Sequence, residues 1–106
     1  MKLIWDEAKR QSNLAKHGFD FAQADVVLDA QYRQDVSITR HGENRVLSVA
    51  YALEFLAVLT VVHTDRSGMY RIISFRRASG EEREVYDEWL ESGIEGGIER
   101  GNNDAQ

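Results

Sequence analysis

Residues 70–86, YRIISFRRASGEEREVY, change periodicity within a few residues, and that change limits the fold more than any other stretch. Tyr70-Arg71-Ile72-Ile73-Ser74-Phe75 is rich in β-branched and aromatic residues and predicts a strand. Ala78-Ser79-Gly80 is a turn. Ser79 followed three residues later by Glu82 fits a capping box, in which side chains and backbone N–H groups satisfy one another at a helix start. A helix is therefore expected from near Gly80. On it Glu82, Arg83 and Tyr86 fall within one turn, and Glu82 and Tyr86 share a face. One strand-to-helix junction thus gathers Arg76, Arg77, a hydroxyl, a carboxylate and a phenol, more polar groups than a buried structural segment needs.

The rest of the chain supplies the elements around that junction. Lys2 to Trp5 predicts a short first strand. Asp6 is an N-cap for a helix over residues 7–16, and Gly18 is its stop. Apolar positions on this helix are sparse, so it is expected to be largely exposed, with Lys16 and His17 at its negative end. Phe21, Ala24, Val27 and Leu28 form one apolar stripe and predict a second helix, with a strand through Val26-Val27 as the competing reading. Residues 30–40 read as a strand or an ordered loop, and His41-Gly42-Glu43-Asn44 as a turn. Residues 45–53 and 55–64 are two strong strands joined at Glu54 without a Gly or Pro. Asp65-Arg66-Ser67-Gly68 predicts a hairpin turn into the strand at 70–76. Three successive strands make an antiparallel meander, with the helices expected to cover one face of it. The domain is assigned to residues 1–91, and Gly-rich, polar residues 92–106 to a flexible tail.

Charge and composition exclude several classes. The net charge of −5 conceals an asymmetry: residues 1–80 hold eleven Lys/Arg against nine Asp/Glu, and residues 81–106 hold two against nine. The usual argument from acidity against nucleic-acid binding therefore applies mainly to the C-terminal end. No cysteine is present, so disulfides, thiolate zinc sites and a thiol nucleophile are excluded. The three histidines lack metal-ligand spacing, and no Gly-rich phosphate cradle is present; no metal or other cofactor is expected. No apolar run spans a bilayer and Met1–Arg10 lacks a signal-peptide core, so no membrane partner is expected and a cytoplasmic location follows by default.

The residues resemble the BrnT family of bacterial toxins. Trp5-Asp6 with Lys9 and Asn13 resembles the family opening, and Lys16-His17-Gly18 with Phe21 its KHG-x-x-F element. Gly42-Glu43 with Arg45 resembles the turn before its central strands. Arg71-Ile72-Ile73-Ser74, then Arg76, Ala78, Glu82-Arg83 and Tyr86, resembles its RIIS-x-R-x-A-x-x-x-E-R-x-x-Y signature. The resemblance implies a small RelE-like α+β domain: an antiparallel sheet of about four strands, two N-terminal helices and a C-terminal helix. It implies the toxin of a type II toxin–antitoxin system, a metal-independent endoribonuclease that cleaves mRNA, free or at the ribosome. Its implied partner is a co-encoded BrnA-like DNA-binding antitoxin, which forms a hetero-oligomer with the toxin, silences it and carries it to operon DNA.

Metal-free RNA cleavage needs a base for the 2′-OH proton, positive charge for the phosphorane and a proton for the leaving 5′-oxygen. His17 is the first candidate, because histidine titrates near neutrality, and Lys16 beside it should depress its pKa. Arg71 and Arg76 are candidate phosphate binders, since a guanidinium matches two phosphate oxygens. Their odd spacing puts them on opposite faces of an unbroken strand, unless a bulge brings them together. Arg76, on a face with Ser74 and next to the turn, is preferred. Glu82 and Tyr86 read as base and proton donor, or as helix cap and core residue, or, for Glu82, as the group that holds Arg76. Arg66, Arg71, Ser74 and Arg77 are candidate RNA contacts, with solvated charge the plainer reading for Arg66 and Arg77. His63, alone in an apolar strand, reads as a satisfied core residue, and His41 as a turn residue. Two other readings stand beside the enzyme. One is an inactive toxin-fold module that binds a partner and regulates its operon. The other is an acidic tail that folds over the basic cleft as a phosphate mimic.

Overall fold

The computed structural model describes residues 1–93; residues 94–106, most of the expected tail, lie outside the described residues. The elements are strand β1 (Lys2–Ile4), helix α1 (Glu7–His17), a 3₁₀ turn (Phe21–Gln23) and short helix α2 (Asp25–Leu28). Strands β2 (Gln34–Arg40), β3 (Glu43–Ala52), β4 (Ala57–Arg66) and β5 (Met69–Arg77) follow, and then helix α3 (Gly80–Glu91). They make an α+β domain around a five-stranded sheet in the order β1-β5-β4-β3-β2. The expected four strands become five because Gln34–Arg40, in the stretch read as a strand or an ordered loop, pairs with β3; Lys2–Ile4, expected as a strand, joins parallel to Met69–Arg71, while the other pairs are antiparallel.

Local signals set the helix ends. The Asp6 carboxylate accepts hydrogen bonds from Ala8 N and Lys9 N, and Gly18 closes α1 at φ 81°, a conformation glycine adopts without Cβ strain. Ser79 accepts from Glu82 N while Ser79 N donates to the Glu82 carboxylate, the reciprocal cap expected at this junction. The second N-terminal helix is shorter than expected. Asp20 caps a 3₁₀ turn and only Asp25–Leu28 is α-helical. Its apolar residues Phe21, Ala24, Val27 and Leu28 are nonetheless buried, so the stripe is real although the helix is broken. Residues 30–40 resolve into edge strand β2. The β3–β4 connection turns without glycine by placing Leu56 in the left-handed region, φ 52°.

The helices lie on both faces of the sheet, not on one. Leu59, Val61, Ala50, Ala52, Ile72 and Phe75 point toward Phe21, Ala24, Val27 and Leu28, and this is the main core. Thr60, Val62 and Thr64 alternate with those β4 residues and face the opposite side, where α3 sits: Thr60 Oγ1 donates to Glu82 at 3.0 Å. Sequence periodicity specifies which face of each element is apolar, but not which side of a sheet a helix returns to.

One irregularity in β5 decides which side chains share that second face. Val62 pairs with Ser74 and His63 with Ile72, which leaves Ile73 unpaired. This bulge lets Ile72 and Phe75, three residues apart, both enter the core. Arg71, Ser74 and Arg76 therefore lie on the other face together.

Candidate functional site

The site is built where β5 loses its neighbour. β1 pairs with β5 only through Met69–Arg71, so among the described residues the remainder of β5 has no strand beside it on that side. An open edge exposes backbone donors and acceptors. Asn13 of α1 covers it: its amide nitrogen donates to Phe75 O at 2.8 Å and to Phe19 O at 3.0 Å, and its oxygen accepts from Phe75 N at 3.2 Å. A single buried side chain thus does what a strand would do, and it fixes the rotation of α1 about its axis.

With Asn13 turned inward, the residues one turn away reach the same edge. A hollow there is lined by Lys9, Ser12, Asn13, Lys16 and His17 from α1 and by Ile73 and Ser74 from β5. Burial pushes the His17 pKa down, and the charges of Lys16 and Arg76 push it further. The shift favours the neutral imidazole, the form able to accept a proton.

Arg76 is the fixed cation of this edge. Its Nη1 and Nη2 donate to the two Glu82 oxygens at 2.8 and 2.9 Å, and Nη1 also donates to Arg77 O at 3.2 Å. A guanidinium has five N–H donors. Three are used here, and the Nε–H and the second Nη2–H, which form the side edge of the fork, have no partner among the described residues. Glu82 is fully committed: the Arg76 hydrogen bonds chiefly, then Ser79 N and Thr60, hold its pKa down to about 2 despite partial burial. A carboxylate so stabilised has little affinity for a proton near neutrality, so its chemistry is to hold Arg76 in place.

The other residues singled out from the sequence divide clearly. Ser74 lines the hollow with Lys16 and His17. Arg71 shares the face of Ser74 and Arg76 but lies further along β5, where it lines a separate depression with Arg66, Thr64 and Glu43. Arg77 points to the opposite face, its guanidinium 5.9 Å from the centre of the Phe19 ring. Tyr86 is 2% exposed; its hydroxyl donates to Tyr32 O at 2.7 Å and accepts from Tyr51 N at 3.2 Å. Tyr51 belongs to β3, two strands from β5 and so about 10 Å across the sheet. The structure brings Lys16, His17 and Ser74 into one hollow, sets the Arg76–Glu82 pair on the same face of β5 as Ser74 with the Arg76 charge felt at His17, and leaves Tyr86, Arg77, Arg66 and Arg71 away from it. Lys9 and Ser12 were not singled out for chemistry. Their signal was present, since Lys9, Ser12 and Lys16 recur at helical spacing on α1.

A second polar cluster, on the face covered by α2, has the contacts of a nucleophilic triad. Ser48 Oγ lies 2.7 Å from His63 Nε2, and His63 Nδ1 meets the Asp65 carboxylate. Ser48 and His63 are both 0% exposed, and the Ser48 hydroxyl donates to Asp35, which Arg33 grips with two N–H groups. A buried serine committed to a carboxylate is no nucleophile. Burial lowers the His63 pKa, and Asp65 opposes that shift. His63 is a satisfied interior residue.

Among the described residues no helix is long and apolar enough to cross a membrane. Residues 5–82 match a family model described as ribonuclease toxin, BrnT, of type II toxin–antitoxin system. The match takes in α1, the whole sheet from β2 to β5, and Arg76 and Glu82, and stops before Tyr86. No curated protein matches the chain.

Proposed function

The chain belongs to the BrnT family of ribonuclease toxins of type II toxin–antitoxin systems, and on that premise we propose that it is a metal-independent endoribonuclease. It acts in the cytoplasm on mRNA, inhibits translation, and is neutralised by a co-encoded BrnA-like antitoxin. The observation that carries this reading is the free edge of Arg76. Glu82 fixes the guanidinium through one fork and leaves the second fork open, near enough to His17 for the Arg76 charge to lower the imidazole pKa.

In this mechanism His17 removes the proton from a ribose 2′-OH. The 2′-oxygen attacks the adjacent phosphorus, and the bond from phosphorus to the 5′-oxygen breaks. The open fork of Arg76 binds two oxygens of the phosphorane as charge accumulates on them. Lys16, one residue from His17, is the donor at hand for the leaving 5′-oxygen. Ser74 contributes a hydroxyl to the same hollow. The products are a 2′,3′-cyclic phosphate and a 5′-hydroxyl. The 2′-OH requirement restricts the reaction to RNA.

Expression of the wild-type chain in bacteria without its antitoxin should arrest growth and shorten transcripts. Purified protein should cleave free RNA in EDTA, and His17→Ala and Arg76→Ala should each lower the rate by 10²-fold or more, on the order expected for a lost base or oxyanion donor. Harmless expression, with no difference between wild type and Arg76→Ala, would contradict the enzyme. Tight antitoxin binding by such an inactive chain would favour the regulatory module.

A further inference from the structure

The hollow at the β5 edge is lined by more of α1 than Lys16 and His17 alone: Lys9 and Ser12 border it too. Asn13 sets the phase of α1 through its bonds to Phe75 and Phe19, so Lys9, Ser12 and Lys16 are presented in a row along the same edge. Lys9 and Lys16 are two turns apart, about 10 Å along the axis. Successive phosphates of a stacked strand are spaced about 3.4 Å along the axis, so the row can meet more than one.

The acids around α1 are engaged by other groups. Arg10 pairs with Glu7 at 3.3 Å and with Asp20 at 3.6 Å, and the Asp6 carboxylate is taken up in capping Ala8 N and Lys9 N. Lys9 and Lys16 are exposed and make no ion pair among the described residues. The strongly acidic helix α3 carries Glu82 to this edge, and that charge is neutralised by Arg76. A cationic strip therefore leads into the site although the chain as a whole is at −5.

We infer that Lys9 and Ser12 hold the sugar–phosphate backbone of single-stranded RNA next to the scissile phosphate, so that substrate runs along α1 and not across the open sheet past Arg71 and Arg66. Lys9 contributes a point charge and Ser12 a hydroxyl donor. Neither touches the reacting atoms; they set the position of the strand. This inference rests on the ribonuclease reading for its substrate, but it names a separate surface and fails separately.

The test measures binding of a fluorescent, short 2′-O-methyl RNA of mixed sequence, which has no free 2′-OH and is not cleaved. The full chain is compared with a Lys9→Ala/Ser12→Ala double variant and an Arg66→Ala/Arg71→Ala double variant across a salt series. The α1 variant should bind about fivefold or more weakly, with the slope of log affinity against log salt reduced by about 0.7 for the lost phosphate contact. The Arg variant should lose less. On cleavable RNA the α1 variant should raise KM and leave kcat within about twofold. An Arg66/Arg71 loss equal to or greater than the α1 loss overturns the inference, as does unchanged binding by the α1 variant or no binding by wild type. A wild type that binds through Lys9 but does not cleave RNA instead removes the ribonuclease reading and leaves the RNA track.

Discussion

Arg76 and Glu82 define the site at the scale of single residues. The pair is a bidentate, partly buried ion pair, with side chains 27% and 19% exposed. Glu82 is held near a pKa of about 2 from its ordinary 4.5, so the folded state favours its ionised form. The sign follows: this stability is present above pH 4.5 and is lost as pH falls from 4.5 toward 2. After allowance for solvent screening, the contribution near neutrality is on the order of 1–2 kcal/mol. Glu82→Gln should remove it, so that wild type and variant converge in urea unfolding near pH 2 and diverge near pH 7. The same variant should slow cleavage, because Arg76 loses its anchor and its orientation. His17 supplies a second sign. Its pKa is lowered from 6.5, so the rate should rise with pH through a midpoint below 6.5, the ascending limb of an acid–base profile. Lys16→Ala removes one of the charges that depress it and should move that midpoint upward, whatever it does to the maximal rate.

Elements explain why these residues meet. Asn13 joins α1 to β5 by three hydrogen bonds, and Asn13→Ala strips partners from Phe75 and Phe19 backbone groups. The variant should lose about 1–3 kcal/mol in denaturant unfolding. Activity should fall further than that loss explains, since α1 would no longer be held in phase; unchanged kcat/KM at full folding would count against this role. Ser79→Ala breaks one half of the capping box and should cost about 1 kcal/mol. These caps were legible in the sequence because Asp6, Gly18, Ser79 and Glu82 act on neighbours within a few residues. The Ile73 bulge was foreseen only as one of two ways to place Arg71 and Arg76. Its presence depends on the pairing of Val62 and His63 across β4, which no stretch of β5 encodes alone.

For the molecule as a whole, what was hard to read is the return path of the chain. β1 inserts parallel to β5, and α3 packs on the face opposite α2, so the open edge of β5 is a product of topology. His17 and Arg76 were singled out one at a time from residue chemistry and family resemblance. The placing of His17 beside Ser74, of Arg76 on the same face of β5 and of the Tyr86 hydroxyl at β3 comes from that topology. The charge asymmetry has a consequence at this scale too. RNA affinity should fall steeply with salt despite the acidic net charge, because Lys9 and Lys16 stand on α1 without ion pairs among the described residues, while nine of the eighteen acids lie in residues 81–106.

In the proposed reaction a ribose hydroxyl, activated by His17 with Arg76 on the phosphate, is the nucleophile. This is tested most directly with one RNA oligonucleotide in two versions, all-ribose and with a single 2′-deoxy sugar on the 5′ side of the cleaved bond. Both are incubated with the wild-type chain in EDTA. The account predicts cleavage of the first to a 2′,3′-cyclic phosphate end, and an intact bond at that position in the second. Cutting of the deoxy-substituted bond, or a need for added metal ion with the all-ribose strand, would contradict it.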